Sequence, residues 1–378
     1  MNIRGNLRKI TEFGIGVTAV TTLALAGCGG GGSASSSGST TTTVAAIAGL
    51  VSTFAGTSGL WAYTNGTATA ARFDYPTYIA TDGTNLYVTE LNNNTIRKIV
   101  IATGVVSTFA GNGASGVADG TGTSASFNGP EGIVSDGTNL YVADTLNNNI
   151  RQVSLATAQV TTIAGNITGA SGVANGTGIS AQFNVPVGIA KIGNSLYVSE
   201  NVSQRIRKID LANLNLVTTF AGSTGVAGWY DAVGAAAYFD FPAGLATDGT
   251  NLYVADMNDN NIRKVEVATQ IVSTVAGWHL STGSGVADGT GSSARFYRPM
   301  GITTDGTNLY VSDTNNHTIR KIVISTGVVT TLAGTAGVSG VTDATGTNAR
   351  FNLPRGILYN NSSLYVADWA NYSIRKIQ

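Results

Sequence analysis

The 378-residue chain has very little charge, one cysteine and only six prolines. Charged residues make up 11% of it, and its 21 basic and 21 acidic side chains balance. It therefore lacks the basic excess with which proteins hold nucleic acid. At 43% hydrophobic residues, with 49 glycines, the chain is too apolar for intrinsic disorder and too poor in charge for a helical bundle. The composition favours an all-β fold.

The single cysteine, Cys28, follows a segment typical of bacterial export. A short basic stretch ends at Lys9, and the apolar run from Phe13 to Ala26 is too short to span a bilayer comfortably. The sequence Leu-Ala-Gly-Cys at 25–28 resembles the lipobox, in which cleavage before the cysteine leaves it as the lipid-modified first residue. We expect residues 1–27 to be a lipoprotein signal peptide; a plain signal peptide is the alternative.

Residues 28–43 are rich in Gly, Ser and Thr and have no apolar periodicity, which predicts a flexible tether. Position 29 is not Asp, and by resemblance to the enterobacterial sorting rule this favours the outer membrane. We therefore expect an exported monomer, lipid-anchored in the bacterial cell envelope on its periplasmic or surface side.

All six prolines occupy one position of a repeat that recurs every 54 to 57 residues. A phenylalanine stands three residues before each proline, and an arginine stands 24 residues after each phenylalanine, with no insertion inside that block. The prolines are Pro76, Pro130, Pro186, Pro242, Pro299 and Pro354, and the arginines are Arg97, Arg151, Arg207, Arg263, Arg320 and Arg375.

Each repeat contains four short β-rich segments separated by Asp-Gly or Asn-rich turns. In the second copy these segments are residues 131–136, 139–144, 150–155 and 159–165. Six such repeats over 44–378 predict a six-bladed β-propeller with four antiparallel strands per blade. A further fourth-strand pattern at about residues 48–55 precedes the first repeat, and the last repeat lacks one. We expect the N-terminal strand to complete the C-terminal blade; a linear β-solenoid is the alternative.

Copy five carries a family resemblance. Residues 301–313 read GITTDGTNLYVSD and residues 314–322 read TNNHTIRKI, which resembles the NHL repeat with its pattern of G-I, L-Y-V-A-D and N-H-x-I-R-K-I. The resemblance covers residues 44–378 six times over, although copy three departs from it at 191–194. It implies a six-bladed propeller but chooses no function, because such families include scaffolds, receptors and some enzymes.

A carboxylate ends the second strand of every copy, and the repeated arginine follows seven residues later. We expect cross-strand ion pairs of structural value, such as Asp144 with Arg151, Asp256 with Arg263, Asp313 with Arg320 and Asp368 with Arg375. The alternative is a ring of acids that faces a ligand.

An Asn or Asp also stands eight residues before each phenylalanine, as at Asp119. One carboxylate per loop is too few for calcium, so we expect Asx turns there; no cofactor is predicted, and calcium is left open.

Two sets of residues are candidates for binding. The first lies in the long loops between blades and in the loops between strands two and three, which share one face of a propeller; the alternative is that each aromatic packs under its own loop. This candidate ligand-binding face comprises Trp61, Trp229, Trp278, His279, Tyr297, Arg298, His317 and Trp369.

The second set of candidate binding residues occupies the position after each proline, which we expect at the mouth of the central channel. There only Glu131 and Arg355 are charged, which indicates an asymmetric pocket or plain channel filler.

These features favour a noncatalytic propeller that binds a ligand or protein through its long-loop face, with an envelope protein, peptide or glycan as partner and no nucleic acid. The alternative is a metal-dependent hydrolase or lyase of the gluconolactonase-like type. Zinc chemistry normally needs about three protein ligands, and the chain has two histidines. No Gly-x-Ser-x-Gly motif accompanies them, so enzyme activity is the less favoured interpretation.

Overall fold

The part of the chain that the computed structural model describes, residues 47–278 and 284–378, contains 28 short strands, nine 3-10 helices and no α-helix. The signal peptide, the tether, Cys28 and His279 lie outside these ranges, so what we expect of them stays a prediction. The strands form six sheets, which confirms the predicted all-β six-bladed propeller.

The first strand is β1 (Val51–Ala55). Blade 1 comprises β2 (Gly66–Thr67), β3 (Pro76–Thr81), β4 (Asn85–Glu90), β5 (Thr95–Val100) and β6 (Val105–Ala110). Blade 2 comprises β7 (Gly120–Thr121), β8 (Pro130–Ser135), β9 (Asn139–Asp144), β10 (Asn149–Ser154) and β11 (Gln159–Gly165). Blade 3 comprises β12 (Gly176–Thr177), β13 (Pro186–Ile192), β14 (Ser195–Glu200), β15 (Arg205–Asp210) and β16 (Leu216–Ala221).

Blade 4 comprises β17 (Pro242–Thr247), β18 (Asn251–Asp256), β19 (Asn261–Glu266) and β20 (Val272–Gly277). Blade 5 comprises β21 (Gly289–Thr290), β22 (Pro299–Thr304), β23 (Asn308–Asp313), β24 (Thr318–Val323) and β25 (Val328–Ala333). Blade 6 comprises β26 (Pro354–Asn360), β27 (Ser363–Asp368), β28 (Ser373–Ile377) and β1. The 3-10 helices are Ala68–Ala70, Gly122–Ser124, Thr145–Asn147, Gly178–Ser180, Gly234–Ala236, Gly291–Ser293, Thr314–Asn316, Gly346–Asn348 and Trp369–Asn371.

Each blade has four main antiparallel strands, and the strand that begins at the proline is innermost. These inner strands pack against one another around the ring, from β3 and β8 to β26 and β3. Strand β1 pairs with β28 in antiparallel register, Val51 opposite Ile377, and so supplies the fourth strand of blade 6.

Four blades carry a fifth strand that the sequence did not predict. The two-residue Gly-Thr strands β2, β7, β12 and β21 pair with the outermost strand of their own blade. In blades 4 and 6 the same contact is a single bridge, Val233 with Ile271 and Leu50 with Thr345. Two residues are too few to show a strand pattern, but they shield an edge that would otherwise be open to further pairing.

The repeated arginine is the centre of each blade's packing. In blade 2, the buried Arg151 donates from Nη1 to Asp144 Oδ2 at 2.8 Å and to Ser126 O at 3.0 Å. Its Nη2 donates to Ala118 O at 3.0 Å, and its Cζ lies 5.1 Å from the centroid of the Phe127 ring. One guanidinium therefore joins two strands, the long loop and the aromatic core.

The same arrangement recurs in all six blades. Every repeated arginine is at most 1% exposed and lies 2.8 to 3.2 Å from a fully buried acid that ends strand two. Because these acids are buried and paired, they do not face a ligand. The pairs are Glu90–Arg97, Asp144–Arg151, Glu200–Arg207, Asp256–Arg263, Asp313–Arg320 and Asp368–Arg375.

The structure gives the Asn and Asp residues of the long loops a different role from the Asx turn expected. Asp119 Oδ1 accepts hydrogen bonds from Arg151 Nη2 at 2.8 Å and from Thr162 Oγ1 at 3.0 Å. Its other oxygen accepts from the Thr162 backbone N–H at 3.2 Å. The long loop lies against the outermost strand, so this side chain bonds across the blade and binds the loop to it.

The paired arginine should be essential to stability. Arg151→Ala leaves the Asp144 carboxylate buried without its cation, and we expect a loss of about 3–5 kcal/mol of unfolding free energy. Gln152→Ala, one residue further along the same strand and on its opposite face, is the control and should cost less than about 0.5 kcal/mol. Urea unfolding followed by circular dichroism measures both. Equal stability of the two variants would contradict the role assigned to the pair.

Candidate ligand-binding site

The long loops and the loops between strands two and three meet at one face of the propeller, as the sequence predicts. Asparagines of the loops between strands two and three connect them by donating from Nδ2 to long-loop carbonyls, and three of these bonds are shortest. Asn147 donates to Gly116 O at 2.7 Å, and Asn316 and Asn371 donate to Gly285 O and Gly340 O at 2.6 Å. This face, the loop face, carries the candidate site.

A hydrogen bond between neighbouring blades is repeated five times on the loop face. In each case a left-handed residue before strand three accepts from the backbone N–H of the residue before the next blade's proline, at 2.6 to 3.0 Å. The acceptors are Asn94, Asn148, Gln204, Asn260 and His317, and the donors are Gly129, Val185, Phe241, Arg298 and Leu353.

His317, a candidate ligand-binding residue, therefore has a structural partner. Its Nδ1 accepts from Leu353 N–H at 3.0 Å, so the ring stands where other blades have an amide side chain. An imidazole nitrogen accepts only when it carries no proton, and burial lowers the pKa of His317. Both effects keep the ring neutral.

These inter-blade bonds hold backbone that is costly to form. The residue before each of the six prolines has a φ of 52 to 58°, including the β-branched Val185 at 54°. Left-handed backbone is unfavourable for a β-branched residue and costs about 1–3 kcal/mol at such positions. At these six positions the strain lies directly before the residues that line the rim of the channel.

Where blade 6 meets blade 1, aromatic rings take the place of the inter-blade bond. Tyr372 stands at the acceptor position, and its ring lies edge-on to Tyr75 with centroids 5.1 Å apart. The Tyr75 ring lies 4.2 Å from that of Trp369. These three rings pack beside the channel mouth.

Trp369 differs from what the sequence led us to expect. It is only 7% exposed, and the Arg355 guanidinium carbon lies 4.1 Å from its ring centroid. The indole packs against a side chain of the channel mouth and is not part of an open surface. Arg355 covers one face of the ring by a cation–π contact.

The other members of the candidate ligand-binding face are distributed over the long loops and their ends. Trp61 is 67% exposed, Trp229 40% and Tyr297 38%. Arg298 is exposed and donates from Nη2 to Asn258 Oδ1 at 3.2 Å. Trp278 is half-buried, with the Arg295 guanidinium carbon 5.0 Å from its ring centroid, and His279 lies outside the described residues.

The two charged post-proline residues lie on either side of blade 1. Glu131 comes from blade 2 and Arg355 from blade 6, and both are half-buried. The Glu131 carboxylate makes no ion pair and no hydrogen bond with any described residue, although Arg355 is near enough to act on it electrostatically. Burial raises the pKa of Glu131, and Arg355 opposes that rise. Burial lowers the pKa of Arg355, and Glu131 opposes it.

Tyr78 belongs to blade 1, between the two blades that supply these charges, and was not predicted as a site residue from the sequence. Its hydroxyl is buried and has no hydrogen-bond partner among the described residues. Burial, and secondarily Glu131, raise its pKa, while Arg355 lowers it. An alignment of the six repeats would have singled out Tyr78, because copies two to six all have glycine at its position. These glycines are Gly132, Gly188, Gly244, Gly301 and Gly356. At Gly301, for example, an added Cβ would lie 2.0 Å from Arg355 O. The backbone around Tyr78 in blade 1 must therefore differ from that around the glycine of the other blades.

The remaining post-proline positions give the channel mouth an apolar half. Val187 and Ala243 are buried and belong to the same apolar cluster as Tyr78, and the half-buried Met300 packs against it. Blades 3 to 5 thus supply apolar side chains, and blades 6, 1 and 2 supply Arg355, Thr77 and Glu131. The mouth is asymmetric, as the differing residues indicated.

The other end of the channel is a cavity of about 260 Å³ lined by the later residues of all six inner strands. Its wall is mostly apolar, with Ile133, Ile189 and Leu245 among the lining residues, and Lys191 is the charged residue there. Tyr78 lines this cavity as well.

The structure offers no ready metal site in the part that it describes. Across residues 47–278 and 284–378, no three His, Cys, Asp or Glu side chains come together as a group that could hold a metal ion. Over the same residues, none of the helices has the length and apolar character that crossing a bilayer needs.

The His317 contact predicts a pH-dependent stability. The folded-state pKa is lowered, so the contribution of His317 is complete above the unfolded value of 6.5 and is lost as the pH falls through the folded value. The wild type should lose stability relative to His317→Asn between pH 7 and pH 5, because Asn accepts the same bond without titrating. His317→Ala should cost about 1–3 kcal/mol at pH 7 by leaving Leu353 N–H unpaired. Urea unfolding against pH measures this, and parallel curves for wild type and His317→Asn would contradict it.

Comparison with known proteins agrees with the fold. No family model matches the chain. Human NHL repeat-containing protein 2 is 31% identical over 288 residues, which is 68% of this chain and 40% of the relative, so the chain spans about 40% of the length of such relatives. An auxiliary nutrient binding protein from Bacteroides thetaiotaomicron has a TM-score of 0.65 and 19% identity, covering 87% of this chain and 76% of that one. A gluconolactonase from Xanthomonas campestris has a TM-score of 0.52 and 12% identity, covering 81% and 86%. The chain is thus a six-bladed propeller with NHL repeat-containing homologues.

Proposed function

We propose that the chain is a noncatalytic ligand-binding propeller, exported and lipid-anchored in the bacterial cell envelope, which binds its ligand on the loop face at the channel mouth. The observation that carries this proposal is the arrangement of Glu131 and Arg355. Both are partly desolvated, they act on each other electrostatically, and they make no direct ion pair.

Holding two partly buried charges apart costs free energy, and a bound ligand that contacts both can offset this cost. Taking a charge out of water costs free energy that a close partner must offset. Each of the six repeated arginines, in contrast, lies within 3.2 Å of its acid. Two partly buried charges held apart at one rim are better explained by a ligand that lies between them than by stability.

The comparisons support binding without choosing a ligand. A neighbour of the same fold is an auxiliary nutrient binding protein, and another is a gluconolactonase. The catalytic alternative has less support in this chain, because its described residues bring no metal-binding group together. The envelope location is supported by the lipobox at residues 25–28 and by the Gly- and Ser-rich tether that follows.

Membrane attachment should depend on Cys28. When the full chain is expressed in a bacterium, we expect the wild type and Ser33→Ala, a control in the same tether, to sediment with the membrane fraction. Cys28→Ser removes the thiol that would carry the lipid and should move the protein to the soluble exported fraction. Immunoblotting of the fractions measures this, and membrane association of Cys28→Ser would overturn the lipid anchor.

Binding at the channel mouth should depend on its two charges. The full chain in mild detergent is mixed with a bacterial extract of small metabolites, filtered and denatured, and the released molecules are identified by mass spectrometry. We expect the wild type and Lys191→Met, which changes a charge at the opposite end of the channel, to retain the same molecules. The Glu131→Gln/Arg355→Met double variant should retain them at least about tenfold less, since a lost charged contact costs about 1.5–3 kcal/mol. Equal retention by all three proteins, or none by any, would contradict the proposed site.

A further inference from the structure

The chemistry of the channel mouth restricts what fits between Glu131 and Arg355. A carboxylate accepts hydrogen bonds and a guanidinium only donates them. No described residue bonds the Glu131 carboxylate, and the Arg355 guanidinium has the face of Trp369 as its neighbour. Neutral groups can make these hydrogen bonds, but an occupant that also balances both charges presents a cation to Glu131 and an anion to Arg355.

The Tyr78 hydroxyl adds a second, independent requirement. Tyr78 is 9% exposed, and its oxygen is buried with no partner in the described part of the chain. Tyr78 belongs to blade 1, which lies between the blades that supply Glu131 and Arg355, and both charges act on it electrostatically. A hydroxyl can donate to a carboxylate or accept from an ammonium group, so either end of a charged ligand can satisfy it.

The other residues of the channel mouth favour a ligand whose uncharged part is apolar over a sugar. Opposite the charged half of the rim lie Val187, Ala243 and Met300, which offer no hydrogen bonds from their side chains. Sugars are commonly held by stacking on an open aromatic ring, but Arg355 lies over the ring of Trp369. A glycan, one of the partners considered from the sequence, therefore suits this rim poorly.

We propose that the ligand is a small zwitterion of the α-amino acid class with an apolar side chain, its ammonium group on Glu131, its carboxylate on Arg355 and one of the two on the Tyr78 hydroxyl. The proposal rests on the proposed function and names the ligand class for that site. The α-amino acid carries both charges on one carbon, next to its apolar group, which matches a rim whose polar and apolar halves adjoin.

Isothermal titration calorimetry of the full chain in mild detergent tests the ligand class. The probes are L-leucine, L-leucinamide, which lacks the carboxylate, and N-acetyl-L-leucine, which lacks the ammonium group. We expect L-leucine to bind at least about tenfold more tightly than either derivative, because each loses a charge-assisted contact. Lys191→Met should bind all three probes as the wild type does.

Single variants then assign each charge to its partner. In Glu131→Gln the preference for L-leucine over N-acetyl-L-leucine should disappear, while the preference over L-leucinamide remains. In Arg355→Met the preference for L-leucine over L-leucinamide should disappear, while the preference over N-acetyl-L-leucine remains. Tyr78→Phe removes only the hydroxyl and should weaken L-leucine binding severalfold with little change in thermal unfolding, which is measured for every variant.

The outcomes separate the ligand class from the function. If a derivative binds as tightly as L-leucine, or L-leucine does not bind at millimolar concentration, the amino-acid proposal is overturned. If metabolite capture nevertheless depends on Glu131 and Arg355, the binding function stands with another ligand. If capture also fails, both are overturned.

Discussion

The buried guanidinium in each blade is the interaction on which the rest of the structure depends. A charge removed from water must have close partners, and the arginine finds them on strand two, in the long loop and over the phenylalanine ring. Each partner sits at a fixed distance along the chain from Arg151 or its equivalent. This explains why the block from phenylalanine to arginine keeps its length in six copies while the long loops vary.

Because this block is constant, the residues at the rim of the channel can differ from blade to blade without disturbing the fold. The inter-blade hydrogen bonds hold the backbone before five of the six prolines in a strained conformation and so help to fix where the post-proline side chains stand. The scaffold then tolerates Glu131 in one blade, Arg355 in another and Val187 in a third. Blade 1 alone replaces the inner-strand glycine, and both charges act electrostatically on its Tyr78 hydroxyl.

The fold could be predicted from the sequence because its determinants are local and repeated. Proline, phenylalanine and arginine at constant spacing indicate the blades, and the seven-residue separation of Asp144 and Arg151 indicates a pair across one hairpin. The site could be predicted only in part. The roles of His317 and Asp119 depend on contacts with a neighbouring blade or an outer strand, which spacing within a repeat does not reveal. The burial of Trp369 depends on the direction of its side chain, and Tyr78 is recognised only when the six copies are compared position by position.

We infer that a zwitterionic ligand occupies the space between the charges at the channel mouth. A high-resolution crystal structure of the protein grown with L-leucine tests it most directly. We expect leucine density with the ammonium group within hydrogen-bond distance of the Glu131 carboxylate, the carboxylate against the Arg355 guanidinium, and the Tyr78 hydroxyl bonded to the ligand. Ordered water alone between the charges, or Glu131 and Arg355 joined in a direct ion pair with no leucine present, would contradict it.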